Sequence, residues 1–431
     1  MSEPSTQNTP YDAVVCGAGA GGLASARALG ALGLRVLVVD KQPKLRPVAK
    51  GEVLQPGALR VLRRWGTERL LEQRAGVRLG HLVVRDPAGA PLMALDYGQL
   101  PEGDRWLLSH DHLTILDALA EGLGPTVEVR RGALVEEALH DDGSGRVTGV
   151  AVTEGGRRYE VHAPLTVAAD GISSRLRRAA GIEARRVDYP HRLVSFDLAG
   201  APRPDDFSAY LSPRGLRLVY ALPGDRVRLY VQTAPDELRG SRDRAALAAW
   251  AEGVVAEVPA LEPLSGPLLA GLDSRQLLPV SRFLSPRLAV PGMAFVGEAA
   301  YAVHPMAAQG MNTAITCAAA LADQLADHLG TAAPSAATVD AALRAYQAER
   351  RPVLAQAATT SDNAARMVTD LTWRGRVVGR RAVRFTGRNP RLLHTVTYNM
   401  SGLGPRPMTF LDRLHQLGVL PDPRAHRIPQ T

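Results

Sequence analysis

Residues that staple or ligate are scarce. Two cysteines in 431 residues exclude a disulfide framework and a thiolate metal cluster. Both, Cys16 and Cys317, stand in apolar stretches as small core hydrophobes, and no metal site is expected. Lysine is almost missing: Lys41, Lys44 and Lys50 are the only ones among 51 basic residues, and the other 48 are arginine. Arginine is therefore favoured throughout. The net charge of +8 comes with no nucleic-acid module and no interleaved aromatics, so no nucleic-acid partner is expected. Met1–Pro10 lacks a basic start and an apolar run, does not read as a secretory signal, and leaves a cytoplasmic location as the expectation. Ala299–Ala322 carries no charged side chain over 24 residues, long enough to cross a bilayer. His304, Pro305, Gln309, Gly310 and Asn312 interrupt it, so half of it reads as loop. No internal repeat occurs.

Among what is present, Ala13–Asp40, "AVVCGAGAGGLASARALGALGLRVLVVD", is the most informative stretch. Ala13–Cys16 is a short apolar run, fit for a strand buried on both faces. Gly17, Gly19 and Gly22 follow at GxGxxG spacing, which occurs nowhere else in the chain. The first permits a tight turn, the second lets a phosphate approach the backbone, and the third lets helix and strand pack closely. A helix from about Gly21, with Leu23, Ala26, Leu29 and Leu32 at helical spacing, points its N–H groups at that phosphate. Gly33 ends it, Val36, Val38 and Val39 form the next strand, and Asp40 closes that strand where a carboxylate can take both hydroxyls of a ribose. A dinucleotide site follows.

The remaining chain divides by pattern. Gly51–Gly66 turns from loop to helix, Leu82–Tyr97 alternates about Pro87–Gly89 as a hairpin, and Ser109–Leu123 is an amphipathic helix. Strands follow near Val127–Arg130 and Val147–Thr153, and Ala163–Gly171 is a buried strand ending in Asp170 and Gly171. From about Gly181 to Leu288 half-buried strands dominate, with a helix at Arg244–Val255. "MAFVGEAA" then returns to a buried strand, followed by a polar loop and a long helix, Asn312–Leu329. The spacing predicts an α/β fold with a Rossmann-like domain (11–180 and 289–352) and an inserted, mainly antiparallel β-sheet domain (181–288). A C-terminal helical cap (353–431) completes it.

Three separated stretches, GxGxxG, "AADGISSRLR" and "GEAAYAVHPMAAQGMN", occur in that order. Together they resemble the FAD fingerprints of the para-hydroxybenzoate hydroxylase family of single-component (group A) flavin monooxygenases, which includes ubiquinone-ring hydroxylases and squalene-epoxidase-like enzymes. The resemblance covers about residues 11–352, where "YQAERRP" is similar to a helix that follows the last motif. It implies FAD, held by Gly17, Gly19, Ala20 and Gly22, with Asp40 and neighbouring Lys41 at the adenosine ribose and Val135 backbone near the adenine. Lys50 falls where relatives often have arginine, in the loop that carries Val53 beside the flavin. His110 occupies the usual place of an FAD-contacting arginine, and Asp170 is similar to the acid of the family's DG motif. Gly297 and Glu298 stand at the ribityl chain, Glu298 one methylene longer than the usual Asp. Gly310, Met311 and Asn312 would bring N–H groups and a helix N-terminus to the flavin edge, in a loop that Pro305 shapes. Tyr301 replaces a common His, Ala307 a frequent Gly, and Cys317 a frequent acid.

The activity this resemblance implies is oxygen transfer to a hydrophobic aromatic, polyketide or isoprenoid substrate, as hydroxylation or epoxidation, through a flavin C4a-hydroperoxide. NAD(P)H would be a transient electron donor, since there is no second nucleotide motif. A flavin-dependent reductase of isoprenoid double bonds and a non-redox cyclase with FAD as scaffold are alternatives. Halogenase is disfavoured, for WxWxIP is missing and Trp65, Trp106, Trp250 and Trp373 are isolated. No catalytic residue is fixed; His304 in the flavin loop and Tyr220 in the inserted sheet are candidates, and at least one of Tyr210, Tyr220 and Tyr230 is expected to line the pocket. From Ser361 onward there are twelve Arg and four Asp, with no Lys or Glu. Helices near Arg366–Phe385 and Met408–Leu420, the second with Phe410, Leu411, Leu414 and Leu417 on one face, are expected to cap the pocket. Peripheral contact of the basic face with an anionic membrane or an acidic carrier protein is the alternative.

Overall fold

The structure, a computed structural model, describes residues 11–238, 243–330 and 333–428; Met1–Pro10 lies outside them. It has the α/β architecture expected. Ala13–Cys16 is fully buried, with Leu165–Ala168 and Val36–Asp40 paired in parallel along its two edges and layers packed on both faces. Val127–Arg131 extends this sheet beyond Val36–Asp40, and Met293–Phe295 extends it beyond Leu165–Ala168. The short antiparallel strand Ala289–Val290 closes that edge. Ala20–Ala31 and Gln309–Leu329 pack together against one face, brought close by alanine and glycine; a Cβ on Gly21 would lie 3.2 Å from the Gly297 Cα. The antiparallel strands Ala133–His140, Val147–Glu154 and Arg157–His162 cover the other face, adding Val150 and Val152 to the same core.

The second sheet has eight strands. In spatial order they are Tyr301–Ala302, Gln276–Leu284, Val187–Ala199, Arg226–Thr233, Gly215–Leu222, Phe207–Ser212, His81–Arg85 and Pro91–Asp96. All neighbours are antiparallel except Phe207–Ser212 with His81–Arg85. The hairpin at 81–96, which lies within the range assigned to the nucleotide domain, thus pairs into this sheet. A two-stranded hairpin is marginal alone, and pairing with Phe207–Ser212 joins it to a larger sheet. Alternation sorts the sheet's two faces. Along Arg226–Thr233, Val227, Leu229 and Val231 meet the helix Arg244–Glu257, while Arg228, Tyr230 and Gln232 face the other way.

The C-terminal region is helical but differs from expectation in four ways. Ala336–Thr369 is one helix of 34 residues that runs through Pro352 and so through the boundary placed there. It stops at Asp370, and Trp373–Gly387 restarts with the Thr372 hydroxyl accepting the Gly375 N–H at 3.0 Å. Pro390–Ser401 is a further helix, started by Asn389 as cap with Pro390 at its first position. Phe410–Gln416 presents the opposite face from the one its apolar spacing predicts. Asp412, His415 and Gln416 are buried, whereas Phe410 is 80% exposed. The cause is Asp412, which accepts the Thr409 N–H at 2.9 Å and pairs with Arg391 at 2.6 Å, turning the polar side inward. No helix among the described residues is long and apolar enough to cross a membrane. Ala299–Ala322 becomes short turns, the strand Tyr301–Ala302 and the first part of Gln309–Leu329.

Candidate active site

Between the two sheets lies a cavity of about 290 Å³. Its floor is the glycine turn. Gly17 has φ +111°, and a Cβ there would sit 2.3 Å from the Ala169 carbonyl oxygen; one on Gly22 would lie 1.8 Å from the Gly17 oxygen. Those two glycines let strand, turn and helix touch. Gly19 differs: nothing lies within 4 Å of its missing Cβ, and it lines the cavity with Ala20. The helix it starts has no side-chain cap, so its first N–H groups remain for a ligand. Asp40 accepts the Ala18 N–H at 2.5 Å and the Gln42 N–H at 2.7 Å, fixing the acid beside the turn. One oxygen of Asp170 accepts the Arg175 N–H at 2.8 Å, while the other is buried without a partner. Gly310 again has open space where a side chain would be, at the start of Gln309–Leu329. A free helix N-terminus, two open glycines and an orphaned carboxylate oxygen fit a dinucleotide cofactor.

The other sequence-derived residues scatter around this frame. Val53, Gly297, Glu298, Pro305 and Met311 line the cavity. Lys50 also lines it and pairs with Glu298 at 2.5 Å, joining the loop after the second strand to the loop after the last. Asn312 stands behind the wall, where its carbonyl accepts the Ala58 N–H at 2.7 Å and clamps the helix Pro56–Arg64. Lys41 is exposed after Asp40, and Val135 sits in the three-stranded sheet opposite Val152. Neither lines the cavity. His110 does not either: its ring nitrogens meet the Arg74 carbonyl at 2.9 Å and the Asp111 N–H at 2.8 Å. His112, two residues on, lines the wall instead, and burial pushes its imidazole pKa down.

Sequence reasoning missed the cavity's polar apex. Glu52 is 3% exposed and receives Arg228 twice, at 2.9 and 2.7 Å. The Tyr220 hydroxyl donates to the same carboxylate at 2.9 Å, and Tyr230 donates to the Ala49 carbonyl at 2.9 Å. Burial raises the Glu52 pKa against the lowering pull of Arg228. It raises Tyr220 too, with Glu52 and Tyr230 adding to the effect. Tyr220 and Tyr230 line the cavity; Tyr210 packs with the core on the far face. The signal was present: arginine and tyrosine at alternate positions of "RVRLYVQT" occupy the face opposite its valines and leucine.

His304 is fully buried and does not line this cavity. Its Nδ1 accepts the Met306 N–H at 3.1 Å, so in the neutral ring Nε2 carries the proton and donates to His191 Nε2 at 3.0 Å. Burial pushes His304 down to about 3 and His191 to about 4. This neutral pair ties the flavin loop to the eight-stranded sheet.

A family profile described as FAD binding domain matches residues 10–361. The 2-heptyl-3-hydroxy-4(1H)-quinolone synthase of Mycobacteroides abscessus is 29% identical over 358 residues, 81% of this chain and 88% of that protein. The 6-methylpretetramide 4-monooxygenase of Streptomyces rimosus is 27% identical over 90% of this chain and 91% of its own length. Among solved structures, Pseudomonas aeruginosa PqsL in complex with 2-aminobenzoylacetate superposes with a TM-score of 0.74 at 26% identity, covering 84% of this chain and 98% of that one. The chain belongs to the FAD-binding flavin monooxygenase family and is an FAD-dependent monooxygenase.

Proposed function

We propose that the protein hydroxylates a neutral, hydrophobic aromatic compound that offers a phenol O–H or ring N–H to Tyr220. The observation that carries this reading is the direction of one hydrogen bond. Tyr220 gives its proton to Glu52, so its lone pairs are what it can offer a substrate. A donor is welcome there; a carboxylate or a methyl ether is not. Phe207, Leu218, Val53 and Val303 make the surrounding wall apolar. The quinolone in the name of one relative, a neutral ring compound, leans the same way.

When bound, FAD supplies the redox chemistry, with electrons from NAD(P)H and oxygen from O2. The glycine turn, Asp40, Asp170 and Gly310 would hold it, with Lys50 and Glu298 flanking its middle. Hydroxylation needs an electron-rich ring, and partial loss of the phenol proton provides it. That proton can pass to the Tyr220 oxygen as Tyr220 yields its own to Glu52, whose raised pKa suits holding it. Arg228 keeps Glu52 in place for this exchange. The apolar wall excludes water from the reacting atoms.

The test uses FAD-loaded protein and a series of hydrophobic phenols, their methyl ethers and carboxylated analogues, following NAD(P)H oxidation, O2 uptake and product. Phenols should stimulate oxidation and gain one oxygen atom, with ethers and acids at least about tenfold weaker, as one lost hydrogen bond predicts. Epoxidised alkenes with silent phenols would reverse the reading. Turnover without O2 points to a reductase, and turnover without NAD(P)H to a cyclase.

A further inference from the structure

The apolar side chains left in water are concentrated in one region. Of twelve exposed large hydrophobics among the described residues, nine lie beyond residue 370. Trp373 is 69% exposed and Phe410 80%. The helix Trp373–Gly387 already buries Gly379, Ala382, Val383 and Thr386 against the body. Trp373, Val377 and Val378 are thus a second apolar set, turned outward, where packing does not call for them. Exposed Arg374, Arg376, Arg380 and Arg384 stand among them. The carboxylates of this region are occupied inside the fold: Asp362 by Arg282 and Arg366, and Asp412 and Asp422 by Arg391. Asp370 accepts the Thr372 N–H at 3.0 Å. Asp370 is itself exposed, so the outer surface combines apolar groups with an excess of positive charge.

We propose that this C-terminal face docks the protein on an anionic lipid surface. Trp373 and Phe410 would enter the headgroup region while the arginines meet lipid phosphates. Interfacial binding needs both components, apolar burial and attraction to anionic lipid, and this face supplies both. A second copy of the chain would bring arginine against arginine. An acidic protein would satisfy the arginines and leave the outward Trp373 and Val377 unexplained. A groove of about 390 Å³ lies between the two helices, lined by Arg374, Val378, Arg413 and Leu417, but Trp373 and Phe410 stand outside it, at the first turns of Trp373–Gly387 and Phe410–Gln416. Docking is peripheral, since no described helix can cross the bilayer.

The experiment is co-sedimentation of the full-length, FAD-loaded protein with phosphatidylcholine vesicles, with and without phosphatidylglycerol, at low and high salt. Tryptophan emission is recorded in parallel. Binding should require phosphatidylglycerol and fall at least about tenfold at high salt. Emission should shift to the blue, because Trp373 is the most exposed of the four tryptophans. Trp373→Phe should bind without the shift. Trp373→Ser/Phe410→Ser and Arg374→Gln/Arg376→Gln/Arg380→Gln should each bind at least about tenfold more weakly, with unchanged FAD content as the check on folding. No binding, equal binding to neutral vesicles, or wild-type binding by the serine variant overturns the proposal. So does salt-sensitive binding without a spectral shift, which would fit an acidic protein partner instead.

Discussion

Replacing Arg228 with methionine removes one half of a buried ion pair and leaves the other half in place. Glu52 and Arg228 are 3% and 4% exposed. The substitution deletes two charge-assisted hydrogen bonds to Glu52 and a longer one to Asp197 at 3.4 Å, and leaves the Glu52 carboxylate with the Tyr220 hydroxyl as its one short bond. Breaking such a pair costs about 3–5 kcal/mol, whereas exchanging both members for uncharged residues of similar size is close to neutral. Arg228→Met should therefore lower unfolding stability by about 3–5 kcal/mol, and Glu52→Gln/Arg228→Met should regain most of that. The loss also depends on pH. Burial already raises Glu52 and Arg228 restrains it, so without the arginine the folded pKa climbs further above the unfolded value of about 4.3. A carboxyl raised in the folded state favours folding below its unfolded pKa, and that contribution is lost as pH rises through the folded pKa. The deficit of the single variant should thus be smaller at pH 5 than at pH 8. Urea unfolding followed by circular dichroism, at both pH values with unchanged m, measures it. A double variant no better than the single one, or a deficit independent of pH, refutes the reasoning.

Gly19→Val should block FAD uptake while the apoprotein keeps its stability, because its Cβ meets nothing. Gly22→Ala should destabilise the fold itself, since its Cβ meets the Gly17 carbonyl oxygen; calorimetry and thermal melts of the apoproteins separate the two, and equal behaviour contradicts the cradle. Glu298→Ala should weaken FAD by about 1–2 kcal/mol and Glu298→Asp by less; titration giving one affinity for all three forms would mean the acid points elsewhere. The His191–His304 pair has folded pKa values of about 4 and about 3, below the ordinary 6.5. The unfolded chain takes up protons first, so this stability is complete above pH 6.5 and drains as pH falls, by about 1.4 kcal/mol per pH unit for each ring. His191→Gln/His304→Asn should show a shallower fall in stability between pH 6.5 and 5 than the wild type, and parallel curves would dismiss the pair.

The nucleotide half was legible because its constraints are local. A glycine that must touch a carbonyl, a strand buried on both faces and an acid at its end all leave marks within thirty residues. The cavity's upper wall was not legible in that way. Glu52 meets Arg228 across 176 positions and a sheet pairing, and no spacing in the sequence announces such a meeting. His110 and His112 illustrate a finer limit: the second opens the helix His112–Glu121 and the first stands two residues before it, held away from the cavity by the Arg74 carbonyl arriving from another element. The tail failed for a third reason. Apolar spacing in Phe410–Gln416 marks an amphipathic helix correctly, but the half-buried Arg391 chose which side faces in.

The order of strands in the first sheet bears on how the chain is made. Ala13–Cys16 leaves the ribosome early, yet its neighbours are Val36–Asp40 and Leu165–Ala168, and Leu165–Ala168 pairs in turn with Met293–Phe295. Roughly 280 residues separate first strand from last, which at about 5–20 residues per second is roughly 15–60 s of synthesis. Throughout that interval one strand has a bare edge, first Ala13–Cys16 and then Leu165–Ala168, while the eight-stranded sheet is still emerging beside it. A nascent chain of this design spends much of its synthesis with an unpaired apolar strand, a state that invites both chaperones and mispairing. Expression should be limited less by the final stability of the protein than by what shields that edge until Met293–Phe295 arrives.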